Sequence, residues 1–222
     1  MLPTIAYTGH VDPGGPPARR TLPHLQIVKL SVGEMDNNAY LLTCRRTGEH
    51  LLIDAAAEPD RLLALLDGGP LTAIVTTHRH ADHWQALAAV AARTGARVLA
   101  HRLDAPALPV TVDVAVEDGD TIDLGETSLR VVHLGGHTPG SIALVHRDPA
   151  GTAHLFTGDG LFPGGVGGTW GDRQAFDTLF GNVRRALFGA HDDTAWVYPG
   201  HGDDTTLGRE RPHLDAWAMR GW

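Results

Sequence analysis

The chain has 222 residues, 42% of them hydrophobic and 20% charged, and a formal charge of −8 with histidine neutral. This is the composition of a folded globular protein rather than a disordered one, and its acidity argues against a nucleic-acid partner, since phosphate binding needs a positive field. The longest apolar run, 86–92, is far short of the roughly 18 residues that span a bilayer. Residues 1–20 lack the basic start and apolar centre of a secretory leader. The expectation is a cytoplasmic protein with no membrane partner. One cysteine, Cys44, excludes an internal disulfide and cysteine-rich zinc knuckles, and fits a reducing compartment. Histidine is the exception to this ordinary composition, with fourteen copies.

Six glycines and prolines between residues 8 and 20 predict an irregular arm over 1–23, either mobile or laid over the body. Strands are predicted over 25–32, 39–45 and 50–55, the last with a Leu51-Leu52-Ile53 run that suits cover on both faces. Pro59 opens a helix with a stripe of Leu62, Leu63, Leu65 and Leu66, ended by Gly68-Gly69-Pro70. A buried strand over 73–77, an alanine-rich helix over 84–93 stopped by Gly95, and a strand over 96–100 complete a β-α-β-α-β stretch. The middle is β-rich, with strands over 110–116, 121–124, 128–134, 142–145 and 153–157. A glycine loop follows at 164–168. Asp172 then caps a helix over 174–188, a strand covers 195–198, and a helical tail runs from Leu207, interrupted by Pro212. The pattern admits two helix-covered sheets packed face to face or one mixed α/β sheet.

The chemistry centres on His78-Arg79-His80-Ala81-Asp82-His83, directly after the strand over 73–77. Positions two apart do not share a helix face, so His78 and His80 belong on a loop that can aim both imidazoles at one point. Asp82 and His83, at the start of the next helix, can aim at a second. A solvated turn capped by Asp82 would account for one of these residues and leave three histidines without a reason. His137, Asp159 and His201 each follow a predicted strand and sit beside glycine. Five imidazoles and two carboxylates suit zinc, iron or manganese better than calcium or magnesium, which favour all-oxygen sites.

At these residues the sequence resembles the metallo-β-lactamase fold superfamily, and within it the glyoxalase II-like (hydroxyacylglutathione hydrolase-like) hydrolases. The resemblance runs over 25–211. It also draws on Met35-Asp36-Asn37-Asn38-Ala39-Tyr40 and on the tail that begins Pro199-Gly200-His201-Gly202-Asp203. It implies an α/β fold of α+β type, a four-layer αββα sandwich, as a single domain over 24–222. It implies a first metal on His78, His80 and His137, a second on Asp82, His83 and His201, and Asp159 bridging the two. Asp54 would orient ligands from behind. Two divalent cations, zinc first with iron and manganese as alternatives, would activate a water for attack, with Asp82 and Asp159 as the catalytic carboxylates. A thioester is the chemically easier substrate, because its thiol, with a pKa of roughly 8.5, can leave as thiolate. The expected partner is therefore a small thioester. Two alternatives stand beside this reading. One is a mononuclear iron persulfide dioxygenase using the residues matching His78, His137 and Asp159. The other is a metal-binding module without turnover.

Among the remaining residues, Cys44 is expected to be buried in a strand, and His133 to lie in the core or behind a ligand. His101 is expected near the site without a motif that claims it. His10, His24, His50, His146, His154, His191 and His213 are expected at the surface. Trp170 is read as a pocket wall or a helix-packing aromatic. Trp217 and Trp222 are read as core seals or oligomer contacts.

Overall fold

The computed structural model describes residues 4–221, so the expectation for Trp222 lies outside the described residues. The first sheet is built in chain order from β1 (Ile5–Ala6), β2 (Ala18–Thr21), β3 (Leu25–Val32), β4 (Asn37–Cys44) and β5 (His50–Ile53). After a short helix α1 (Pro59–Leu63) comes β6 (Leu71–Thr76), then α2 (Leu87–Thr94), β7 (Arg97–His101) and β8 (Val114–Val116). Strands β2 to β5 pair antiparallel and β5 to β8 pair parallel, the helices serving as the crossovers that parallel pairing requires. The second sheet comprises β9 (Thr121–Leu124), β10 (Thr127–His133), β11 (Ile142–Arg147), β12 (Ala153–Gly158), β15 (Trp196–Pro199) and β16 (Thr205–Thr206), in the order β16-β15-β12-β11-β10-β9. Between β12 and β15 lie a small hairpin, β13 (Leu161–Phe162) with β14 (Gly165–Val166), and the helix α3 (Arg173–Val183). The chain ends in α4 (Leu207–Glu210), a 3-10 turn and α5 (Leu214–Arg220).

Side-chain alternation explains the layering. On β4 and β5, Tyr40, Leu42, Leu51 and Ile53 point between the sheets and meet Ile122, Leu129, Val131, Ile142, Leu144, Phe156 and Tyr198. Leu41 and Leu52 point the other way, against Leu62, Leu87 and Val90 of the first helical layer. The far face of the second sheet, with Val132, Ala143 and Leu155, packs on Phe176, Leu179, Phe180, Val183 and Trp217. The result is the expected four-layer αββα sandwich with three apolar interiors. Asp172 caps α3 by accepting the Ala175 N–H at 3.0 Å, as the sequence predicts, and Gly95 closes α2 in the left-handed region. Trp217 seals the core of the second helical layer.

Several expectations need correction. The stretch read as an irregular arm supplies two strands: β2 pairs with β3 along four residues, and β1 pairs with β2, so only the Gly/Pro-rich stretch between them is irregular. The helix over 174–188 changes character at Arg184, where the last turn, Arg184–Phe188, is π-helical. The strand over 110–116 survives only as Val114–Val116. His50, His146 and His154 are buried, not exposed. Their partners explain why: His50 Nδ1 meets Thr43 Oγ1 at 2.8 Å, His146 Nδ1 meets Ser128 O at 3.2 Å, and His154 Nδ1 meets the Tyr198 hydroxyl at 2.9 Å. Burial, reinforced by Arg20, pushes the His154 pKa down to about 4, so it sits in the core as a neutral ring.

Candidate metal centre

One end of the sandwich collects the loops that follow β5, β6, β10, β12 and β15, and each brings a predicted site residue. From the β6 loop, His78 Nε2 and His80 Nδ1 lie 3.1 Å apart, and His80 Nδ1 lies 2.9 Å from His137 Nε2 on the β10 loop. A second group forms where the 3-10 turn Ala81–His83 faces the end of β15. There His83 Nε2 is 3.1 Å from His201 Nε2, and Asp82 Oδ2 is 3.5 and 3.3 Å from those two nitrogens. Asp159, immediately after β12, stands between the groups. Its Oδ2 is 3.4 Å from His137, 3.5 Å from His201 and 4.0 Å from His78, and its Oδ1 is 3.3 Å from His83. All seven candidate ligands therefore meet, as two trios sharing one carboxylate. The approach is close enough to require glycine at two places. A Cβ on Gly200 would strike the Asp159 carboxylate and the His83 ring, and one on Gly167 would strike the Asp159 backbone and the His137 ring.

Hydrogen bonds at the far side of each ring fix what faces inward. His137 Nδ1 donates to Gly168 O at 2.8 Å, His201 Nδ1 to Met35 O at 2.8 Å, and His83 Nδ1 to Asp54 Oδ2 at 2.9 Å. Asp54 also accepts the Thr77 N–H at 2.7 Å and the Thr77 hydroxyl at 2.8 Å. With its proton so committed, Thr77 Oγ1 is left to accept from His78 Nδ1 at 3.1 Å. Four rings thus hold a proton on Nδ1 and turn Nε2 toward the centre. Asp54 does this from a strained position: it is buried with φ +55, a left-handed conformation uncommon outside glycine. Strain retained at such a point is of order 1–3 kcal/mol and marks a position set by its surroundings.

The donor set fits cations. Imidazole nitrogens converging at 2.9–3.1 Å cannot all be hydrogen-bonded to one another, because one proton on His80 serves at most one neighbour. Burial pushes the His78 pKa well down and those of His80 and His137 down, so added protons do not resolve the crowding. Asp159 Oδ1 is buried and makes no well-directed hydrogen bond, its polar neighbour being His83 Nε2 at 3.3 Å, a costly arrangement for a carboxylate oxygen. In the second trio burial acts in the same downward direction on His83 and His201, but Asp159 overrides it at His201, and Asp159 with Asp54 takes His83 to about 10. Burial alone would raise the Asp159 carboxyl, yet His201 and His83 hold it far below the usual range.

Sequence reasoning missed three contributors. Asp104, fully buried after β7, accepts the Arg79 N–H at 3.0 Å, the Gly140 N–H at 2.8 Å and the Thr138 hydroxyl, tying the His78–His80 loop to the His137 loop. Its place after a parallel strand, like that of Asp54, is the signal that could have found it. Asn37 donates to Asp82 Oδ2 at 2.9 Å, and Asn38 holds Pro199 O and Gly202 O. His101 and His133, both left open by the sequence, stack at 4.3 Å, and His133 Nε2 sits 2.8 Å from Pro139 O. They support the His137 loop and lie outside the ligand set. Trp170 is 76% exposed with φ +52, and its indole stands 5.4 Å from both the His80 and His137 rings. It walls a cavity of about 450 Å³ shared with Arg79, His137, Pro139 and Gln174. A larger cavity of about 660 Å³, rimmed by Arg130, Arg147 and Arg185, contains none of the seven ligands.

Comparison with known proteins agrees with this geometry. Residues 32–201 match the family model described as the metallo-beta-lactamase superfamily, and the chain belongs to that superfamily. It is 38% identical to a hydroxyacylglutathione hydrolase of Polaromonas sp. over 74% of this chain and 62% of that one. It is 41% identical to one of Fuscovulum blasticum over 60% of this chain and 51% of that one. The chain thus spans roughly half to two thirds of the length of these curated relatives. Among solved structures it is similar to ETHE1 from Myxococcus xanthus, with a TM-score of 0.75 at 31% identity over 85% of this chain and 82% of that one. It is also similar to TTHA1623 in a di-iron-bound form, with a TM-score of 0.69 at 34% identity over 82% and 96%. Among the described residues no helix is long and apolar enough to cross a membrane.

Proposed function

We propose that the protein is a dinuclear metal-dependent hydrolase of a small thioester. The observation that carries this reading is the meeting of two ligand trios on Asp159, which offers one oxygen toward His83 and the other toward His137 and His201. The identity to hydroxyacylglutathione hydrolases supports the thioester as substrate class. His78, His80 and His137 would hold one cation, Asp82, His83 and His201 the other, and Asp159 both. When bound, the pair supplies Lewis acidity for a carbonyl oxygen and for a water that loses its proton near neutral pH.

The remaining work falls to the chain. Asp54 and Thr77 keep His78 and His83 in the ligating tautomer. Asp82, steadied by Asn37, is the carboxylate on the more open side and receives the proton of the attacking water. Trp170 and Arg79 bound the recess beside His137, where an apolar acyl group packs on the indole and an anionic thiol carrier meets the guanidinium. A thiolate needs no general acid to depart, and no residue is assigned that role.

A second reading, a mononuclear iron dioxygenase on His78, His137 and Asp159, is favoured by the similarity to ETHE1, and metal content with oxygen uptake separates it from the hydrolase. The deciding experiment measures metal per chain on protein purified without added metal, then assays S-D-lactoylglutathione hydrolysis and oxygen uptake with glutathione persulfide. Two metals with hydrolysis and no oxygen uptake support the hydrolase. One iron with oxygen uptake replaces it with the dioxygenase, and metal-replete protein inert toward thioesters, lactones and β-lactams leaves only a binding module.

A further inference from the structure

Lys29 is a charged interior residue that the reaction leaves unused. It lies on β3 in step with Leu25 and Ile27, on the face between the sheets, and it is fully buried. An ammonium placed there is costly unless its N–H groups find acceptors. All three do: Nζ donates to Asp204 Oδ1 at 2.8 Å, Gly202 O at 2.6 Å and Gly9 O at 2.8 Å. Asp204 Oδ2 in turn accepts the Tyr7 hydroxyl at 2.6 Å and the Trp196 indole N–H at 2.8 Å, and the Asp204 N–H donates to Gly9 O at 3.0 Å.

This network joins β3, the N-terminal segment through Tyr7 and Gly9, and the loop after β15 through Gly202 and Asp204. That loop carries His201. His83 is held by the buried Asp54, His78 by the Thr77 hydroxyl and His137 by Gly168 O, whereas His201 sits between two glycines, with a single backbone bridge to Asn37 and its Nδ1 on Met35 O from a surface turn. Gly202, the residue after His201, is gripped by Lys29 and Asn38 together.

We infer that Lys29 is a positioning residue for the second ligand trio: by gathering Gly9, Gly202 and Asp204 on one ammonium it fixes the His201 loop and makes the segment around Tyr7 and Gly9 a working part of the metal centre. The inference rests on the two-metal reading above. A cluster that merely pinned the N-terminal segment would alter stability and leave metal stoichiometry unchanged.

The test compares the wild type with a Lys29→Met/Asp204→Leu double variant, which leaves no unpaired charge in the interior, by zinc content and zinc affinity after equilibrium dialysis, alongside far-UV circular dichroism. The wild type is expected to retain two zinc ions per chain. The folded variant is expected to retain one, with its affinity within about threefold of the tighter wild-type site. Tyr7→Phe, which removes a single hydrogen bond from Asp204, is expected to weaken only the looser site, by about fivefold. Two zinc ions bound at wild-type affinity in the double variant overturn the inference, as does equal weakening of both sites. If the double variant does not fold, Tyr7→Phe decides alone, and an unchanged looser site overturns it. A wild type that binds fewer than two zinc ions fails the two-metal reading itself, before any variant is compared.

Discussion

The two ligand trios differ more than their shared carboxylate suggests. His78, His80 and His137 form the drier half: His78 and His137 side chains are nearly inaccessible and His80 is half-buried, burial depresses all three pKa values, and Asp104 braces their two loops against each other. Asp82, His83 and His201 form the wetter half, with about a fifth of the Asp82 and His201 side chains exposed. There Asp159, joined at His83 by Asp54, raises both rings rather than letting burial lower them. The rings of the first half are neutral at neutral pH. The second must give up a proton before it can ligate, and its outermost ring hangs on a glycine-flanked loop. One constellation therefore contains a site that is ready and a site that is conditional.

The most damaging way to break this contrast is to remove what the halves share. Asp159→Ala is expected to lower kcat/KM by about 10³-fold or more and to reduce metal content in both halves; wild-type turnover in this variant would sink the assignment. Next, Asp54→Ala releases His83 and the Thr77 relay to His78. It is expected to weaken metal binding about 10–100-fold, which competition with a chromophoric chelator would register. A finer probe is pH. His83 in the metal-free protein holds its proton up to about pH 10, so filling the second half near pH 7.5 should release about one proton, and its affinity should climb with pH by up to about tenfold per unit. The first half, whose rings are already neutral, should show a flat profile over pH 7–9. Calorimetry in buffers of differing ionisation enthalpy separates the two, and equal slopes would erase the distinction. The smallest effect is expected from Trp170→Ala, which leaves both trios intact. KM for an aromatic thioester should rise about 5–10-fold with kcat within about twofold, whereas a fall in kcat alone would remove Trp170 from the substrate wall.

The candidate ligands His137, Asp159 and His201 are legible in the sequence because they sit beside punctuation that can be read locally: a strand run, a glycine, then His or Asp. Asp54, at the end of Leu51-Leu52-Ile53, is marked only by the family resemblance, whereas local apolar runs set most strand positions. What escaped depends on partners far along the chain. Lys29 within a β-strand reads as a solvated side chain until Asp204, 175 positions away, is brought against it. His50, His146 and His154 are expected at the surface because polar residues usually lie there. The interior hydroxyls and carbonyl that receive them are tertiary neighbours. The segment before Leu25 looked irregular because its glycines and prolines conceal two short strands whose pairing is set by the neighbouring strand rather than by their own composition. Nothing in the sequence marks the π-helical turn at Arg184–Phe188.

The ligands divide between the two sheets: His78, His80, Asp82 and His83 hang from the first, His137, Asp159 and His201 from the second. Cations seated there would rivet one β-layer to the other at the end where the apolar filling gives way to polar loops. Occupancy then adds to folding free energy in proportion to the logarithm of free metal. A cell starved of the ion would lose part of its standing stock of this protein along with the turnover.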